Sequence, residues 1–463
     1  VNFLKNFSSI IFFIALAFSV FLLLAPMPSG MAPKVLPAAA VVLLAVALWS
    51  TAVVPSALGS VIFLFAAVVL SVAPASIVFS GFYAGATWLV FGGLVVGLGV
   101  RRSGLDVRLI NTLLKRLPSS YLAIVYGIFF VAFILAWVVP SATARVALLV
   151  PIVLSLNKRL DFEIGSKGHN GLVLASAMGT MTPAFGILPS NVPNMALFGA
   201  IESIHGIRIA YGEYLFLNFP VIGIGAVLIY PLVIFVLFKD QPKPALGSEV
   251  TKSWSIGEKK LLIIVMGALV LWITDTLHGV SPAWIALGAA LICLLPKLGL
   301  LAPGSLGKEI DYGPMLFVAG VIGLGAVATH SGLGKVIATS LLEFVPLEPG
   351  ADGSNFSLIV LIGTVVGIFS TMPAQPSIMV PMASAMASAS GWSLMSVLMA
   401  PVVTWMMFPF FYQAPPVVLA VALGDLKIWW VIRMLLVYMI MSIIILLPIH
   451  FLWGQSLGYF VSG

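Results

Sequence analysis

Apolar runs long enough to cross a bilayer recur from Ile10 to Leu452, and that recurrence limits the possible folds more than any motif does. A helix gains ~1.5 Å per residue, so about 20 apolar residues span the hydrocarbon core. Of 463 residues, 61% are hydrophobic and 8% charged, which is too little polar surface to clothe a soluble domain. The expected fold is an all-α polytopic membrane protein, with about 11 transmembrane helices plus two re-entrant hairpins. The first run (Ile10 to Ala25) has no convincing small-residue cleavage site and is read as a helix, not a signal peptide.

Several functional classes drop out early. Cys293 is the single cysteine, so an intrachain disulfide is impossible, and it lies in an apolar run that suits packing. His169, His205, His278, His330 and His450 are scattered, with no metal-ligand spacing. No phosphate-binding glycine loop, nucleophile elbow or HExxH is present. The net charge of +7 is distributed as membrane topology would demand, not as a nucleic-acid surface.

Spans are predicted near 9–28, 35–52, 55–74 and 84–100, followed by a basic amphipathic segment, "RRSGLDVRLINTLLKRLP", lying along the interface. Residues 119–157 form two apolar arms meeting at Pro140–Ser141. An interrupted run (169–200) and an unbroken one (214–238) follow. After a polar stretch, spans fall near 260–275, 282–301 and 313–329, with a short helix at 333–346. A second apolar pair (355–390) breaks near Thr371, a second interrupted run covers 395–424, and the last span is 428–452. With the N-terminus cytoplasmic, Lys5, the 101–116 cluster, Lys158, Arg159, Lys167, the linker lysines and Lys427 all face inward. Lys34, Arg208 and Lys335 face outward, an asymmetry that satisfies the positive-inside rule. Gly463 is then external.

The halves resemble each other. "VFGGLVVGLGVRRSGL" (90–105) aligns to "VAGVIGLGAVATHSGL" (318–333), an offset of 228 (318 less 90). "SATARVALLVP" (141–151) aligns to "TMPAQPSIMVP" (371–381), an offset of 230 (371 less 141). Each is followed by an interrupted helix, "TMTPAFGILPSNVPN" or "MMFPFFYQAPP". Near-equal offsets in the same order indicate an internal repeat, and the span count makes it inverted. The predicted organisation is a first helix (1–34) and a first repeat (35–238). That repeat holds scaffold helices (35–118) and a hairpin with broken helix (119–238). A cytoplasmic linker (239–259) leads to the second repeat (260–463), with scaffold helices (260–350), then hairpin and broken helix (351–463). Broken helices at bilayer depth leave backbone groups that only protein or a polar cavity can satisfy. The breaks should therefore converge.

Polar residues gather at those breaks. The first half offers Ser141, Thr143, Thr180, Thr182, Ser190, Asn191 and Asn194; the second offers Thr371, Gln375, Ser377, Thr404, Tyr412 and Gln413. For any one hydroxyl, a helix–helix hydrogen bond or cap is the plainer reading. The fifteen Asp and Glu lie in loops or at span ends, which argues against a carboxylate-based cation carrier. Arg145 stands apart, because an ionised group at bilayer depth costs ~2.5–3.5 kcal/mol on insertion scales. Its side chain either snorkels to the headgroups or faces an anionic ligand, reinforced by helix N-termini.

This order of hairpin, broken helix, linker, hairpin and broken helix resembles the divalent anion/sodium symporter family, which includes di- and tricarboxylate transporters. In that family each hairpin tip carries Ser-Asn-Thr and each following loop ends near Pro-Pro-Asn. Here the first tip reads Ser141-Ala142-Thr143 and its loop ends Val192-Pro193-Asn194. The second tip reads Thr371-Met372-Pro373 and its loop reads Ala414-Pro415-Pro416. The resemblance implies a homodimeric elevator carrier in the cell inner membrane. It also implies sodium sites built on tip asparagines, whose places Ala142 and Met372 take. If sodium binds, Ser141, Thr143, Thr180 and Thr371 are its candidate ligands.

The expected function is secondary transport of a small organic anion, a di- or tricarboxylate first, with sodium-independent exchange as the variant that Arg145 suggests. The expected binding residues are Ser141, Thr143, Arg145, Ser190, Asn191, Asn194, Thr371, Gln375, Ser377, Thr404, Tyr412 and Gln413. Two alternatives stay open: an anion channel, and a carrier of sulfonate or inorganic oxyanion. No paired acids, metal cluster or activated nucleophile supports an enzyme.

Overall fold

The structure is a computed structural model that describes residues 2–105, 107, 108, 120–139, 141–242, 253–296, 300–302 and 304–462. Most of the basic segment after Arg101, the centre of the linker, Pro140 and Gly463 lie outside the described residues. The described residues are helical, with no strand and an isolated bridge between Trp392 and Ser462.

The apolar runs become helices whose ends follow proline, glycine and polar caps. The first half contains α1 (Asn2–Leu24), α2 (Val35–Thr51), α3 (Ser56–Val69), α4 (Gly85–Ser103), α5 (Tyr121–Val138), α6 (Ala142–Arg159), α7 (Lys167–Met181), α8 (Val192–His205) and α9 (Tyr211–Phe238). The second contains α10 (Ile256–Ile273), α11 (Pro282–Leu294), α12 (Gly313–His330), α13 (Leu333–Phe344), α14 (Asp352–Phe369), α15 (Pro376–Ser390), α16 (Leu394–Met406), α17 (Pro415–Gly424) and α18 (Ile428–Ser456). By length and composition, five of these helices are long and apolar enough to cross a membrane: α5, α9, α12, α14 and α18. Of the others, α1, α4, α6 and α10 are at least as long as α5, the rest are shorter, and two predicted spans end at least five residues early. The 55–74 run stops at Val69, giving way to one-turn helices Ala75–Val78 and Ser80–Tyr83. The 282–301 run stops at Leu294, before Pro296, which has no N–H to continue a helix.

Helices α9 and α18 each contain a π-helical turn, Phe219–Ile224 and Ser442–Leu446. A proline accompanies each, Pro220 and Pro448, an offset of 228 (448 less 220). Such turns absorb the hydrogen bond that proline removes. The two helices meet at Tyr230 and Tyr438, whose rings stack at 3.9 Å, and Tyr230 OH lies 2.7 Å from Ser442 Oγ.

Packing between halves is reciprocal. Helix α8, leaving the first interruption, packs on α15, the second hairpin's inner arm; α17, leaving the second interruption, packs on α6, the first hairpin's inner arm. His205 on α8 meets the Val380 carbonyl of α15 at 3.2 Å, and His169 on α7 meets the Gly424 carbonyl of α17 at 2.8 Å. Helix α18 also orients the hairpins. At its start, Lys427 lies beside Gly165, in the loop closing α6 to α7. Beyond its end, Ser462 bonds Asp352 at the entry of the second hairpin, and Phe460 N bonds Ser396 Oγ. The open ends of the two hairpins thus lie at opposite ends of a 29-residue helix, a separation of roughly 40 Å at ~1.5 Å per residue.

Candidate functional site

The site begins with what each break leaves undone. Helix α5 ends at Val138, and Val139, held extended ahead of Pro140, turns its carbonyl out of the helix. Ser141 caps α6, its Oγ accepting from Ala144 N at 3.3 Å. Helix α7 stops at Met181, two residues before Pro183, and its last carbonyls have no successors to bond. In water these groups would be solvated; in a membrane they must find protein partners.

Arg145 supplies them. Its side chain is fully buried, and each of its five N–H groups has a protein oxygen. Nε donates to the Thr180 carbonyl at 3.1 Å, and Nη2 to the same carbonyl at 2.5 Å and to Asn191 Oδ1 at 3.2 Å. Nη1 donates to the carbonyls of Val139 and of Ser190, the latter at 3.1 Å. The guanidinium therefore clasps the hairpin tip to both sides of the first interruption. Burial and inward bonding rule out snorkelling, and in this conformation no N–H is left over for an anion. The buried acids among the described residues are Glu258 and Asp275, at the two ends of α10. Asp275 accepts from Tyr211 N, while Glu258 pairs with Arg108 at 2.6 Å. No carboxylate among the described residues neutralises Arg145.

Asparagines and a serine complete the first break. Asn191 Nδ2 donates to the Met181 carbonyl at 3.0 Å, and Ser190 Oγ donates to the Ala136 carbonyl. Asn194 Nδ2 reaches the carbonyls of Ala184, Phe185 and Ile187 at 3.1, 3.3 and 2.8 Å, while its buried Oδ1 has no partner. Thr180 Oγ1 is turned back to the Ala177 carbonyl, and Thr182 Oγ1 to Met178. Thr143 is exposed and Ser141 half-buried.

Neutral amides serve the second break. Gln375 Nε2 donates to the Gly363 carbonyl at 2.6 Å and to Thr404 Oγ1 at 2.8 Å, and Gln375 Oε1 accepts from Trp405 Nε1 at 2.5 Å. Gln413 Nε2 donates to the Gly367 carbonyl at 2.6 Å, and its Oε1 accepts from Phe410 N. The Met372 amide bonds the Gln413 carbonyl at 3.2 Å, tying tip to loop. Thr371, also buried, accepts through its carbonyl from the amides of Ala374 and Gln375. Ser377 bonds the Ala374 carbonyl, within its own turn, and Tyr412 OH bonds Ile368 while its ring stays partly exposed.

The interruptions are neighbours, since Phe185 of the first and Trp405 of the second have ring centroids 5.7 Å apart. Each also leans on a π turn: Gly186 packs against Phe219, and the Met406 carbonyl accepts from Ser442 Oγ at 3.1 Å. Trp405 and Ser442 escaped the sequence reading. Trp405 stands beside Thr404 in the interrupted run, a position that could have flagged it; Ser442 had no signal in an otherwise apolar span.

A sodium ion, as the resemblance implies, can be tested against these oxygens. At the first break the converging oxygens are already bonded to the guanidinium, and at the second the Gly363 and Gly367 carbonyls accept from glutamine amides. Neither set fits sodium without displacing those side chains.

Known proteins agree with this architecture. The solved structure of the Alcanivorax borkumensis YdaH transporter superposes with a TM-score of 0.51 over 87% of this chain and 90% of its own, at 14% identity. In sequence, the chain is 25% identical over 400 residues to the inner membrane protein YbhI of Escherichia coli K12, covering 82% of this chain and 83% of YbhI. It is 27% identical over 331 residues to the L-tartrate/succinate antiporters of Shigella sonnei and E. coli K12, covering 67% of this chain and 66% of each antiporter. Residues 6–460 match the family described as the sodium:sulfate symporter transmembrane region, and the chain belongs to that family of membrane transporters.

Proposed function

We propose that the protein is an inner-membrane carrier that exchanges small dicarboxylates without sodium. The observation that carries this reading is Arg145, a buried cation beneath the first break with no acid among the described residues to balance it. Helices α6, α8, α15 and α17 all begin at the interruptions, so the positive ends of their dipoles add to its field. The anion then sits outside the guanidinium, at the tips, where Ser141 and Thr143 hydroxyls and first-turn amides are within reach. Arg145 attracts it through space rather than by contact. The tartrate/succinate antiporters among the relatives favour four-carbon dicarboxylates over sulfate.

Reciprocal packing and oppositely opening hairpins support an inverted repeat in which hairpins and broken helices move together against α4, α11 and α12. In the family likeness that movement is an elevator within a homodimer. The same geometry supports a cytoplasmic linker and an external C-terminus. Arg102 with Glu309, and Arg108 with Glu258, would mark the inner face; Lys34 with Ser71 would mark the outer. The test is competition for uptake into proteoliposomes by succinate, tartrate, citrate and sulfate. Succinate and tartrate should compete, and competition by sulfate alone would overturn the assignment.

A further inference from the structure

We propose that the end of α9 and the start of α18 form a binding site for the headgroup of an anionic phospholipid. The inference goes beyond the transport reading and does not depend on which anion is carried. It begins with Arg433, which lies five residues past Ile428 (433 less 428) in the otherwise apolar α18. At ~1.5 Å per residue that is roughly 8 Å along the helix. Unlike Arg145, Arg433 is exposed, and it has neither an acid nor a hydrogen-bond acceptor among the described residues. An exposed position on a membrane-spanning helix faces lipid, where an uncompensated guanidinium is costly. Its apolar stem must carry the charge back to the headgroups.

The surroundings indicate which headgroup. Arg433 Cζ lies 5.4 Å over the Trp430 ring, and Trp430 packs on Phe238 with centroids 5.5 Å apart. Lys239, the next residue, sets its Nζ 5.6 Å from the Phe235 ring. The two helix ends are thus joined through aromatic rings, with a cation on each side. Lys427, just ahead of α18, adds a third, and Lys239 and Lys427 are exposed as well. Trp429 is largely exposed beside them, which suits an indole at the membrane interface. Neighbouring acids leave these cations free. Asp240 accepts from the amides of Gly168 and Gln241, and Asp425 makes no ion pair among the described residues.

This set fits a phosphodiester: the arginine offers a bidentate fork and the lysines point charges. A zwitterionic lipid would bring its own ammonium into the cluster, so complementarity selects a net negative head. The linker follows Lys239, which puts the site at the inner face in the proposed topology. Helices α9 and α18 also carry the π turns that support the interruptions, and they meet again at Tyr230 and Tyr438. A headgroup bridging Lys239 and Arg433 clamps the same pair at the membrane surface. Anionic lipid then stabilises the fold as a ligand, beyond acting as solvent.

The test is thermal unfolding of the full-length protein in a neutral detergent. It is titrated with phosphatidylglycerol, with phosphatidylcholine of the same acyl chains, or with inorganic phosphate. Phosphatidylglycerol should raise Tm saturably, and the other two should not. Arg433→Gln should raise the half-saturating phosphatidylglycerol concentration about fivefold, and Arg433→Lys by less. Lys335→Gln, on α13, should leave it unchanged. Lys239→Gln should act like Arg433→Gln and carries the test should the latter not fold. An equal shift with phosphatidylcholine would reduce the effect to hydrocarbon, and one with inorganic phosphate would make it a soluble-anion site. Either result, or an unmoved midpoint in the two glutamine variants of Arg433 and Lys239, would overturn the proposal.

Discussion

Replacing Gln375 by leucine keeps the side-chain volume and deletes a donor pair and an acceptor. Three groups lose a partner: the Gly363 carbonyl, Thr404 Oγ1 and Trp405 Nε1. Thr404 still donates to the Pro401 carbonyl at 2.5 Å, and Gly363 sits inside α14, so the serious orphan is the Trp405 N–H, which is almost fully buried. A buried unsatisfied donor costs about 1–3 kcal/mol, and the other two bonds about 1 kcal/mol each, against roughly 1 kcal/mol returned by apolar burial. Gln375→Leu should therefore destabilise by about 2–4 kcal/mol, read as a Tm loss of several degrees in detergent. Trp405→Phe removes the orphan, so adding it to Gln375→Leu should cost less than it does alone. A double-mutant cycle measures that coupling, expected at about 1 kcal/mol or more. Strictly additive effects would mean that the amide does not hold the indole. Gln375→Glu should be worse than leucine, since it sets a carboxylate oxygen 2.6 Å from the Gly363 carbonyl.

Gly323 of α12 allows the one-turn helix at Val78 to approach, because a Cβ would lie 2.3 Å from the Val78 carbonyl oxygen. Gly323→Ala should cost about 1–3 kcal/mol as overpacking and appear as a lowered Tm, whereas Gly288→Ala, which meets nothing within 4 Å, should not. The Arg108 hydrogen bond holds the Glu258 carboxyl below its ordinary range. A depressed carboxylate adds stability above its unfolded pKa and loses it as pH falls through the folded one. Tm should accordingly decline below about pH 4.5, with a smaller decline in Glu258→Gln; parallel curves would remove this pair from the account. Asn191→Leu should weaken the clasp on Arg145 and the Met181 carbonyl together, lowering both Tm and exchange rate; loss of neither would contradict the clasp.

Much of the fold was legible because its signals are local. Apolar length marks spans, and prolines at 140, 183, 193, 373, 376 and 415 mark where helices must stop or restart. The break near Thr371, read from the apolar runs, is where α14 ends at Phe369 and α15 begins at Pro376. Arg145 was conspicuous, yet its role was not readable: its partners are main-chain carbonyls of Val139, Thr180 and Ser190, and every residue type carries a carbonyl. Thr180 and Ser377 looked like ligands by position, but each hydroxyl satisfies its own helix. Trp405 was hidden for the opposite reason, since an indole in an apolar run reads as packing until its N–H is seen to meet Gln375.

The central claim is exchange of dicarboxylate without sodium. Its most direct test is uptake of labelled succinate into proteoliposomes, with choline replacing sodium and with or without unlabelled succinate inside. Uptake should be rapid only into loaded vesicles, and unchanged when sodium is restored. Uptake that needs sodium would contradict sodium-independent exchange, and equal uptake into empty and loaded vesicles would make the protein a channel.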